Sequence, residues 1–134
     1  TVTQKDGKIY VNLDNKLLFK SGSTVVEDQG RQALSNLAKA VESEKDLSIL
    51  VEGHTDTDKI LPGGSMKDNW DLSVLRATSV VRILQESSKV DPTRITAGGR
   101  GEYVPVDPND KAKNRRIEVI LSPYLEALYK LVNA

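Results

Sequence analysis

Residues 47–56 read LSILVEGHTD and residues 69–77 read NWDLSVLRA, and the rest of the chain is organised around these two stretches. Leu47 to Val51 is a near-continuous apolar run, the pattern of a central strand covered on both faces. It stops at Gly53-His54-Thr55-Asp56. A helix is predicted from about Asn69 to Ser87, capped by Asp68 or Asn69, with Leu72, Leu75, Val80, Ile83 and Leu84 as its apolar positions. Asn69, Leu72 and Arg76 are spaced by three, four and seven and therefore share one helix face. If strand and helix pack side by side, Asp56 and Arg76 face one pocket from opposite walls. A second reading of Arg76 stays open, in which it reaches past the apolar stripe to solvent or pairs with Asp71 or Glu86.

Upstream, residues 1–7 are polar and end in a Lys-Asp-Gly turn signal. Lys8 to Val11 alternates as a strand does, and Asn12 to Leu18 does so more loosely, with a hairpin or bulge predicted at Asp14-Asn15. Phe19 to Ser23 is a strand exit. A helix follows over Thr24 to Ser43, opened by a Thr24/Glu27 capping box and striped by Val26, Ala33, Leu34, Leu37 and Val41. Gly30 weakens that helix and predicts a close approach to the sheet.

Downstream, Asp56 to Asp68 is a long loop broken by Pro62-Gly63-Gly64. Asp91-Pro92 ends the second helix, Arg94 to Ala97 is a short strand, and Gly98 to Gly101 turns it. Arg115 to Leu121 alternates as a last, antiparallel strand, and Ser122-Pro123 is read as the start of a third helix carrying Leu125, Leu128, Tyr129 and Val132. The order, ββαβαββα at most, predicts an α/β (α+β) two-layer sandwich of βαβαβ type, with helices on one face of a mixed sheet plus a C-terminal helix. One domain is expected over residues 1–134, with its core at about 8–121 and the C-terminal helix at about 122–133.

Composition narrows the function classes. Nineteen basic and nineteen acidic side chains cancel, which argues against a general affinity for nucleic acid or anionic membrane. No apolar run approaches the length of a membrane span. Cysteine is absent, which removes disulfides, thiolate metal sites and cysteine nucleophiles together. The chain opens at Thr1 rather than at methionine, and is read as a piece of something longer.

Two alternatives stand beside a binding pocket. His54, Asp56 and Asp58 could ligate a metal in a hydrolase, although there is one histidine in the chain and no second cluster to complete a two-metal site. A calcium loop starting at Asp56 fails, having Leu61 at its sixth position and Lys67 at its twelfth. The glycines at 98–101 do not match a nucleotide-binding GxGxxG, and there is no GxSxG nucleophile motif. The other alternative is a protein–protein oligomerisation domain, a homo-oligomer joined through the C-terminal helix.

Taken in order, LLFKSGS (17–23), VEGHTD (51–56), NWDLSVLRA (69–77), GGRGEYVPV (98–106) and NRRIE (114–118) resemble the C-terminal OmpA/MotB peptidoglycan-binding domain family over residues 8 to 121. The resemblance implies a non-catalytic domain that binds the peptide stem of peptidoglycan through its diaminopimelate, with no cofactor and no metal. It implies that Asp56 receives the ligand's ammonium and Arg76 its carboxylate, with Thr55, Asn69 and Leu72 beside them. Phe19, Lys20 and Ser21 would line the other side, and Arg116 would brace the fold near the site or touch the ligand. The expected location is the periplasm of a Gram-negative envelope, tethered to the outer membrane through a missing N-terminal portion. The loop 56–69 is longer than the family's, and would lid the pocket or contact a partner.

Overall fold

The computed structural model describes residues 1–61, 63–123 and 132–133. A hairpin of β1 (Val2–Lys5) and β2 (Lys8–Asp14) opens the chain, turning at Asp6-Gly7 where both residues have positive φ. Then come α1 (Asn15–Leu18), α2 (Asp28–Glu42), β3 (Leu47–His54), α3 (Asn69–Glu86), a 3₁₀ turn (Pro92–Arg94), β4 (Ile95–Gly99), α4 (Lys111–Asn114) and β5 (Arg116–Pro123). The five strands form one mixed sheet in the order β1-β2-β5-β3-β4. β3 and β4 are parallel, joined across α3, and β5 runs antiparallel to both β2 and β3.

Pleating sorts the strand residues by face. Ile49 and Val51 of β3 pair with Leu121 and Val119 of β5, and these join Ile117 on the side covered by helices. There they meet Leu34, Ala38 and Val41 of α2 and Val80, Ile83 and Leu84 of α3 in one core cluster. The expected sandwich is the observed architecture.

Several local expectations are corrected. The polar residues 1–7 supply an edge strand whose four residues are all exposed, so no apolar alternation marked it. Asp14 caps α1 by accepting from the Lys16 amide, and forms neither hairpin nor bulge. α2 begins at Asp28 without a side-chain cap, so the Thr24/Glu27 box does not form. Val26 is instead buried in a β-bridge with Phe19, and tying that residue to extended backbone postpones the helix. Gly30 does mark a close approach, but to α1: an added Cβ would lie 2.9 Å from the Leu17 carbonyl. Gly98 and Gly99 continue β4 rather than turning it. Ser122 and Pro123 continue β5, paired with Ser48 and Leu47, so no helix starts there. The rest of the expected C-terminal helix falls on residues 124–131, outside the described residues.

Candidate functional site

The geometry of the site follows from one contact between α3 and the sheet. Ser73 of α3 is fully buried over Gly53 of β3 and Gly99 of β4. A Cβ on Gly53 would stand 2.1 Å from the Ser73 carbonyl oxygen, so only glycine admits the helix this close. The Ser73 hydroxyl accepts the buried Gly101 amide at 3.0 Å and donates to the Trp70 carbonyl at 2.9 Å, locking helix to sheet. Asp56 lies three residues beyond Gly53, and Asn69, Leu72 and Arg76 flank Ser73 on the helix. The close contact therefore brings all four to one place.

They line a cavity of about 580 Å³ at the C-terminal end of β3. That size suits a residue-sized ligand rather than a metal ion alone. Asp56 is 5 % exposed; its Oδ1 accepts the Asp58 amide at 2.8 Å and its Oδ2 accepts from Arg115 Nη1 at 2.6 Å. Arg76 is buried, its Nε donating to the Ser23 carbonyl at 2.9 Å and its guanidinium 5.0 Å from the centre of the Phe19 ring. It neither reaches solvent nor pairs with Asp71 or Glu86. Its Nη groups have no acceptor among the described residues. Burial pulls its pKa down to about 10, with Asp56 opposing the shift and Arg115 adding to it, so it stays cationic at neutral pH.

Asn69 donates its amide nitrogen to the carbonyls of Asp56 (3.2 Å) and Asp58 (3.0 Å), which fixes its orientation. Its Oδ1 is buried without a partner among the described residues, and so is the Oδ1 of Asn15, another lining residue. Thr55 and Leu72 line the cavity too, with the Thr55 hydroxyl donating to the Asp56 carbonyl. Phe19 and Ser21 form the facing side. The long loop is a wall of the cavity, contributing Ile60, Leu61 and Met66. Asp58 anchors it through a 2.6 Å ion pair with Lys111.

Lys20, an expected lining residue, lies elsewhere, and Arg116 braces the fold without entering the cavity. The Lys20 side chain is 83 % exposed, 3.6 Å from Glu27, and does not line the cavity. Phe19 has extended backbone, so the next side chain points the other way. Arg116 does not line the cavity either. It is buried on the opposite face of the sheet, donating to Glu118 (2.7 Å), the Asn114 carbonyl (3.1 Å) and the Val104 carbonyl (3.0 Å). The arginine in the cavity is its neighbour, Arg115. The alternation that turns Ile117, Val119 and Leu121 toward the helices also assigns Arg115 to that side, a signal already present in the sequence.

His54 shares that opposite face, its Nε2 3.1 Å from Glu52 and 3.5 Å from Glu118, with Arg100 3.7 Å from Glu52. The metal set of the alternative hydrolase reading is thus split, because His54 points away from the side on which Asp56 meets Arg115. It bonds strand carboxylates. Desolvation, then Arg116 and Arg100, lowers the His54 pKa to about 3. Two guanidiniums already balance the two carboxylates, so a proton on the imidazole would be an uncompensated buried charge.

The family model described as "OmpA family" matches residues 18–118, so the chain belongs to the OmpA family. It is 30% identical over 119 residues to Motility protein B of Bacillus subtilis, covering 86% of this chain and 45% of that protein. The chain spans about half the length of the relatives it matches. Among solved structures, the periplasmic domain of Helicobacter pylori MotB superposes with a TM-score of 0.86 at 25% identity, over 99% of this chain and 94% of that one. The cell wall anchor of the T6SS from Pseudomonas aeruginosa superposes with a TM-score of 0.81 at 29% identity, over 92% and 87%.

Proposed function

We propose that this chain binds peptidoglycan without catalysis, taking the free zwitterionic end of a diaminopimelate in the stem peptide, and so anchors an envelope protein to the cell wall. The observation that carries the reading is the placement of Asp56 and Arg76 in one cavity. A carboxylate and a guanidinium across a residue-sized cavity match an ammonium and a carboxylate on one carbon. The arginine fork can hold the carboxylate through two parallel bonds. The Asp56 carboxylate supplies an acceptor for the ammonium. Leu72, Phe19 and the loop residues Ile60 and Met66 would cover the ligand's methylenes.

The relative named as a cell wall anchor and the one named as a periplasmic domain support both the partner and the location. We place the domain in the periplasm, carried by a longer protein that is held in the outer membrane. Retention on purified sacculi tests the reading. Each charge-assisted bond contributes roughly 1.5–3 kcal/mol, so Asp56→Asn and Arg76→Gln should each weaken retention roughly ten- to a hundredfold. Undiminished retention of both variants would remove the pocket assignment.

A further inference from the structure

The cavity takes up one flank of the first turns of α3, where Asn69, Leu72 and Arg76 meet Phe19 and the long loop. The other flank faces β4, because Val74 packs against Gly99. On that flank Trp70 and Tyr103 stand in contact, their ring centres 5.1 Å apart and their planes tilted by 31°. Neither ring lines the cavity. Trp70, the one tryptophan of the chain, is 46% exposed, and Tyr103 is 62% exposed. The Trp70 indole N–H and the Tyr103 hydroxyl form no hydrogen bond among the described residues. Tryptophan and tyrosine favour interfaces, where the ring packs and its polar end finds a partner. Here both rings and both polar ends are open.

The pair has a rigid base. Both rings lie over Gly101, where an added Cβ would stand 3.2 Å from Tyr103 Cδ2 and 3.4 Å from Trp70 Cδ2. Gly101 has a φ of +58° and is held from two sides, its amide by the Ser73 hydroxyl at 3.0 Å and its carbonyl by the Thr55 amide at 2.9 Å. Thr55 lines the cavity and directly precedes Asp56. Rings and cavity therefore belong to one frame, separated by the first turn of a helix about 10–12 Å wide.

We propose that Trp70 and Tyr103 form a saccharide platform, on which a glycan strand stacks while the peptide it carries enters the cavity. A pyranose with equatorial substituents presents a C–H face to an aromatic ring. Its rim of hydroxyl and amide oxygens accepts from an indole N–H or a phenol. Stable protein partners bury about 800 Å² on each side, and here charged Asp71 and Glu102 directly adjoin the two rings in the chain. That the sugar is the β-linked amino sugar of the wall rests on the peptidoglycan reading above. Three extended peptide residues span about 10 Å, enough to cross from the cavity over the first turn of α3. Two weak sites on one polymer then reinforce each other through effective concentration.

Trp70 is its own reporter. The full chain is titrated by fluorescence with glycan strands freed of their stem peptides by an amidase, and by calorimetry with a free stem tripeptide. The stripped strands are expected to shift the emission to shorter wavelength in a saturable way. Tyr103→Ala should weaken that binding about tenfold or more and leave tripeptide affinity within twofold. Trp70→Ala, followed by calorimetry, should do the same. Failure of the wild type to bind stripped strands overturns the proposal, and the peptidoglycan reading stands if the tripeptide still binds. Strand binding without tripeptide binding supports the platform and overturns the cavity assignment. Binding of neither overturns both. Equal binding of amylose, an α-linked glucan, overturns the assignment to a β-linked strand. Full strand affinity in both variants reduces the rings to a cover for Gly101 and overturns the proposal. So does self-association that Tyr103→Ala abolishes in the absence of strand binding, which would give this face to a second copy of the chain. The wild-type titration decides even if a variant does not fold.

Discussion

Gly53→Ala is the sharpest test of how this site is assembled. The added methyl would sit 2.1 Å from the Ser73 carbonyl oxygen, 2.9 Å from its carbonyl carbon and 3.2 Å from its Cα. All three are helix backbone, so no side chain can swing aside, and α3 must retreat by about 1 Å or more before the contact becomes ordinary. Overpacking of this kind costs about 1–3 kcal/mol. Removing a glycine's freedom from the unfolded chain returns about 0.4–1 kcal/mol. The net expectation is a loss of roughly 1–2 kcal/mol, read as a lower urea midpoint with an unchanged slope. Gly98→Ala is the control, because a methyl there would meet only Leu50 Cδ1, at 3.8 Å. Sacculus retention should fall in Gly53→Ala beyond what the stability loss explains, since the same retreat separates Asn69 from the Asp56 carbonyl. If Gly53→Ala matches Gly98→Ala in stability and binds sacculi fully, the close helix–sheet contact does not set the site.

Two further outcomes follow from the buried polar groups. Ser73→Ala leaves the buried Gly101 amide without its 3.0 Å acceptor and should cost about 1–3 kcal/mol in urea unfolding; a change under 0.5 kcal/mol would contradict the role given to that hydroxyl. The folded-state pKa of His54 is about 3 against 6.5 for the free group, so above pH 6.5 its titration contributes nothing. As pH falls below 6.5 the unfolded chain takes up a proton that the folded chain refuses, and stability drops by about 1.4 kcal/mol per pH unit. Unfolding measured from pH 6.5 to 4.5 should therefore show the wild type losing about 2–3 kcal/mol more than His54→Asn over that range. Parallel pH profiles would refute a neutral, buried imidazole.

The cluster around His54 shows why part of this molecule escaped the sequence. Glu52, His54, Glu118 and Arg116 look like ordinary strand polarity, and only the pairing of Glu52 with Glu118 and of His54 with Arg116 across β3 and β5 puts them together. Likewise Arg94 reads as the start of a strand. In the structure it is buried, donating to the Leu47 carbonyl at 2.8 Å, the Val41 carbonyl at 3.3 Å and the Glu44 carbonyl, and so ties α2 and β3 to the turn before β4. Main-chain acceptors have no residue type, so a sequence motif cannot reveal them.

Local patterns did determine a good deal. The apolar run at 47–51 identified the central strand, and the three-four spacing of Asn69, Leu72 and Arg76 put them on one helix face. Both depend only on the two- and 3.6-residue periods of the backbone. The Thr24/Glu27 box failed because a tertiary bridge between Phe19 and Val26 outweighed a cap that contributes about 1 kcal/mol. The sequence by itself thus determined which residues share a face, and in Asp56 and Arg76 it supplied two opposite charges able to meet. Only the tertiary structure decided that Lys20 turns away and that Gly53 sets the depth of the helix. The physical reason is that facing is local, fixed by periodicity within an element. Convergence depends on distances of closest approach between elements far apart in the chain.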